Sequence, residues 1–71
     1  MNPVTPAPAA TLDGSLIGKE ILVDWPDGWW EVTRLTQEKT VVIVRGVQSG
    51  RRTVYTEFAP GDIVRYRNKP K

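Results

Sequence analysis

The sequence predicts a small all-β barrel of five short strands behind a disordered tail, and three observations carry that prediction. From Ser15 onward, runs of β-branched and aromatic residues recur between turn signals at regular spacing, the pattern of a meander. All three Trp fall in Trp25-Pro26-Asp27-Gly28-Trp29-Trp30, where the first hairpin must close, and each can bury on the order of 200 Å². Five strands in about 55 residues are too few for a sandwich. Bending them into a barrel pairs edges that a flat sheet would expose.

Residues 1–14 hold three Pro among small residues and no basic side chain, a composition that favours solvated extended chain over a core. They read as a disordered tail, followed by a barrel over 15–68 and a basic end over 69–71. The first strand, Lys19 to Trp25, alternates Ile21, Val23 and Trp25 against Glu20 and Asp24, so one face turns inward. At the corner Pro26 fixes φ, Gly28 accepts positive φ and Asp27 can bond the turn backbone.

The second strand, Trp29 to Leu35, has β-formers on both faces. Placing Trp30 and Val32 inside leaves Trp29 outward, and a bulge near Arg34 then lets Leu35 turn in. Thr36 to Lys39 forms a four-residue hairpin loop. Thr40 to Val47 is apolar on both faces over Val41-Val42-Ile43-Val44 and reads as the central strand, with Gly46 marking a bulge or bend. A turn through Gly50 leads into Arg52 to Phe58. Ala59 to Asp62 makes a compact turn, and Ile63 to Arg67 is the last strand.

Composition removes whole classes of function. The chain has no Cys and no His, so disulfides, thiolate and imidazole metal sites, a Cys nucleophile and the usual general base are all absent. The carboxylates Asp24 and Asp27 flank a turn without a nucleophile or phosphate loop, so no catalytic, metal or cofactor site is expected. The residues point to a binding module and not an enzyme. The start lacks the basic and apolar pattern of a signal peptide, and no run approaches the ~20 apolar residues of a membrane span. Cytoplasmic residence follows as the default, or nucleoid or nuclear residence for a nucleic-acid binder.

The stretch from Ile17 to Leu35, with its Gly-led strand, Asp-Gly turn and Trp-Trp pair, resembles the opening of Tudor-like domains. That resemblance implies an SH3-like barrel, a fold that hosts methyl-lysine readers, peptide binders and nucleic-acid binders. It implies an aromatic cage drawn from Trp25, Trp30, Tyr55 and Phe58, although the aromatic and Asp-Gly corner usual between the third and fourth strands is replaced here by Arg45 to Gly50. The protein-interaction alternative is therefore a groove of Trp25, Trp29, Trp30 and Tyr55 holding a peptide or a modified lysine.

Charge supplies the leading functional expectation. Net charge is +2, yet residues 19–31 carry four carboxylates against Lys19, while Arg45, Arg51 and Arg52 and then Arg65, Arg67, Lys69 and Lys71 are basic. If the hairpin around Gly50 and the last strand lie together, these seven cations pool beside Tyr55 and Tyr66. Such a face suits DNA or RNA, because guanidinium groups pair with phosphate and rings stack on bases. Contact of all seven with phosphates would give a log–log salt slope of about −5 to −6. Opposed acidic and basic faces also permit a protein partner or a homodimer.

Overall fold

A computed structural model describes residues 3–24, 27–48 and 52–70. It contains β1 (Val4–Pro8), β2 (Glu20–Asp24), β3 (Asp27–Gln37), β4 (Val42–Gln48), β5 (Arg52–Phe58) and β6 (Ile63–Arg67), with short 3₁₀ turns at Ala9–Thr11 and Gly14–Leu16. All pair antiparallel in one six-stranded sheet of order β1-β6-β2-β3-β4-β5. Among the described residues no helix is long and apolar enough to cross a membrane.

The alternation expected of the strands holds. Ile21 and Val23, Trp30 and Val32, Val42 and Val44, Val54 and Val64 are all buried in one cluster on the inner face. β5 and β6 have the bounds that their β-branched and aromatic content predicts. β3 bulges as expected: Val32 pairs with Gly46 but Arg34 pairs with Arg45, so Thr33 is the extra residue. Its hydroxyl donates to the Arg45 carbonyl at 3.3 Å. The bulge lies on β3, not at Gly46. Gly46 instead permits close approach, since a Cβ there would meet the Trp30 Cβ at 2.9 Å.

Two elements differ from expectation. The register of β2 on β3 ends at Asp24 opposite Asp27, so Asp27 and Gly28 lie in the strand where turn residues were expected, while Trp25 and Pro26 are outside the described residues. The β3–β4 turn also moves, from 36–39 to a connection closed by the Glu38 N–H donating to the Val41 carbonyl at 2.9 Å.

The larger correction concerns the Pro-rich start, which forms a sixth strand where a tail was expected. Thr5 pairs with Tyr66 and Ala7 with Val64 along β6. Pro is tolerated in a strand at a sheet margin. Because Pro6 and Pro8 are two apart, their missing donors fall on one side, leaving Thr5 and Ala7 to serve the ladder. Ala9 is then fully buried, and its N–H donates to the Asp62 carbonyl at 2.8 Å. The Ala10 N–H reaches the Pro60 carbonyl at 3.0 Å. From the far end of β3 the Gln37 amide donates to the Leu12 and Ala10 carbonyls. Leu12 and Leu16 are thereby held in the core.

The turn that places Leu16 is capped by Asp13, whose Oδ1 accepts from the Ser15 hydroxyl at 2.5 Å and from the Ser15 N–H at 2.9 Å. Those bonds, the hydroxyl's first, hold the Asp13 carboxyl below its ordinary value. A carboxyl lowered by folding stabilises the folded state fully above its unfolded value of 3.8, and that stability fades as pH falls through the folded value. Thermal midpoints measured between about pH 5 and about pH 2 should therefore decline less steeply in Asp13→Asn than in the parent chain.

Candidate nucleic-acid interface

The outer face of the sheet carries the charges, and the strand register arranges them in two zones. On β3, β4 and β5, Arg34 lies opposite Arg45, and Arg45 lies opposite Tyr55. The Arg45 guanidinium sits 5.4 Å from the centre of the Tyr55 ring. Tyr55 remains 67% exposed, more open than any other large hydrophobic side chain among the described residues. Like charges directly opposite are unfavourable unless something screens or binds them. Among the described residues no carboxylate lies within ion-pair distance of Arg34 or Arg45.

The second zone follows the row Arg67, Glu20, Glu31, Val47 across β6, β2, β3 and β4. The Arg67 Nε donates to the Glu20 Oε1 at 2.8 Å, and the same guanidinium lies 4.0 Å over the Trp29 ring. The Lys69 Nζ donates to the Glu31 Oε1 at 2.6 Å. Together they line a groove of about 610 Å³. The hydrogen bond to Glu31, reinforced by its charge, raises the Lys69 ammonium above its ordinary value. This contact therefore stabilises the fold fully below the unfolded value of 10.5 and weakens as pH climbs through the raised one.

The expected pooling of seven cations does not occur among the described residues, because Glu20 and Glu31 lie between Arg67 and the β4 strand that carries Arg45. Arg67 and Lys69 are held by those two carboxylates. Arg65, two residues before Arg67 on the same face of β6, lines a separate cleft with Asp24, Glu57 and Asp62. Arg52 begins β5 and lies 5.5 Å over the Trp30 ring. Arg51 and Lys71 are outside the described residues. What remains together is Arg45 with Tyr55, joined by Arg34. In the sequence Arg34 marks only the neighbourhood of a bulge, and it is that bulge which turns it to the outer face opposite Arg45.

The three described aromatics of the alternative groove, Trp29, Trp30 and Tyr55, are likewise not brought together. Trp30 is 1% exposed and belongs to the core. Trp29 is outward as expected, but its ring is covered by Arg67, and Tyr55 lies beside Arg45 in the other zone. Trp25 is outside the described residues. Phe58 packs against the core cluster. Among the described residues there is no group of three or more His, Cys, Asp and Glu able to hold a metal ion. No protein-family model, curated protein or solved structure matches this chain.

Proposed function

We propose that this chain is a non-enzymatic binding module of the SH3-like barrel kind that holds single-stranded DNA or RNA on the outer face of β3, β4 and β5. The row Arg34, Arg45, Tyr55 carries the reading: two guanidinium groups without a carboxylate in reach, next to an open ring. A base stacks on Tyr55 while the adjoining phosphates meet Arg34 and Arg45; Arg52, over the Trp30 ring and in phase with Val54, belongs to the opposite face of β5. Arg67 and Lys69 contribute little, since their charges are already matched.

That division changes the expected salt dependence. Two phosphate contacts on a single strand give a log–log slope of about −1.4, well short of the value for seven. Anisotropy of a labelled mixed-sequence oligonucleotide, titrated over a range of salt, measures it. Tyr55→Ala is expected to weaken binding by about 1–3 kcal/mol, the worth of one stacked base. Arg34→Ala with Arg45→Ala should flatten the slope by about 1.4. Unchanged affinity and slope in both variants would sink the reading.

A further inference from the structure

We propose that the groove between Glu20, Trp29 and Glu31 is a second binding site, which takes an unmodified lysine from an extended basic peptide of a protein partner. In the free chain Lys69 fills it. The starting point is an unfavourable arrangement, Glu20 directly opposite Glu31 across β2 and β3. Two carboxylates so placed repel unless cations join them. One cation is built in: Arg67 belongs to β6, is paired in register with both Val4 and Glu20, and stacks on Trp29. The second is Lys69, beyond the end of β6, with its side chain 58% exposed and hydrogen-bonded to Glu31.

The position that Lys69 occupies is therefore an ammonium site whose resident can leave. Its floor is fixed independently of that resident. The Gln48 amide donates to the Trp29 carbonyl at 3.2 Å and lies where a Cβ on Gly28 would come within 2.9 Å of it. Two features select the ligand. The contact to Glu31 is a short donated hydrogen bond, which needs an N–H on the nitrogen, and the Trp29 face that would attract a methylated ammonium is already covered by Arg67. An unmodified lysine satisfies both, whereas a trimethylated one carries the charge without a donor. Because exposed ion pairs are weak, the tethered Lys69 blocks the site only in part, and the affinity of a peptide lysine rises when Lys69 is removed.

The test uses the full chain and a synthetic peptide copying residues 66–70, in lysine, trimethyl-lysine and norleucine forms. NMR titration follows the Trp29 indole. Lys69→Ala is expected to bind the lysine peptide about threefold more tightly than the parent chain. Both other peptides should lose that gain, and Glu31→Gln added to Lys69→Ala should abolish it, with an unchanged amide spectrum elsewhere reporting an intact fold. Equal affinity of parent and Lys69→Ala overturns the proposal, as does a trimethyl peptide that binds as well as the lysine one. Glu31→Gln without effect on the Lys69→Ala complex overturns it too. Tyr55→Ala lies in the other zone and should leave this titration unchanged whatever it does to oligonucleotide binding.

Discussion

Deleting residues 1–12 is expected to remove about half of the stability of the rest of the chain. The deletion removes β1 from β6, takes out the buried Ala9 and Leu12, and withdraws the backbone bonds from Ala9 and Ala10 to the turn before β6. Burial of a Leu side chain is worth about 1.5–3 kcal/mol and each hydrogen bond about 1 kcal/mol. The loss is thus on the order of 3–5 kcal/mol, against a total of about 4–10 kcal/mol for a domain of this size. Urea titration of the truncated and full chains, followed by Trp fluorescence, measures the difference. Equal midpoints would mean that residues 1–12 are the tail their composition suggests. Leu12→Ala keeps β1 and removes only the plug, so its cost of about 2–5 kcal/mol separates the two contributions.

The truncation matters because it bears on what the sequence could not show. Strands at 52–58 and 63–67 were legible because each is a β-branched and aromatic run bounded by turn residues, so local preference and tertiary need agree. β1 is the opposite case. Pro6, Ala7 and Pro8 have poor strand preference, and the partner strand β6 lies some sixty residues away, so little that is local signals the pairing. A margin strand needs donors on one side only, and Thr5 and Ala7 suffice. Composition misleads where tertiary pairing overrides it.

The candidate site divides along the same line. Arg45 opposite Tyr55 is a hairpin register, local enough to follow from the turn near Gly50. Arg34 required knowing that Thr33 is the extra residue, since one residue's shift exchanges the faces of a strand. The acidic stretch 19–31 and the basic end are segregated along the chain but adjacent in space, because β6 pairs with β2. Segregation in sequence suggests two poles; the sheet order converts part of it into local neutralisation, while Arg34 and Arg45 on the β3–β4–β5 face have no ion pair among the described residues.

Gly46→Ala should destabilise the domain by about 1–3 kcal/mol even though it adds one methyl to a strand. The added Cβ would stand 2.9 Å from the Trp30 Cβ, 3.4 Å from the Glu31 carbonyl and 3.5 Å from the Val54 Cγ1. None of these can give freely. Trp30 is buried against the core, and Gly46 is held on both sides by its pairing with Val32 and Val54. Restricting the unfolded chain returns about 0.4–1 kcal/mol, so the net sign stays unfavourable. Each kcal/mol lowers the thermal midpoint of so small a domain by about 4–8 °C, which circular dichroism resolves easily. The effect should reach the outer face as well. β4 can relieve the contact only by moving off Trp30, and that movement carries Arg45 away from Arg34 and Tyr55. Gly46→Ala is therefore expected to weaken oligonucleotide binding while the domain is still folded, whereas a stable Gly46→Ala with unaltered binding would show that Trp30 does not brace this face.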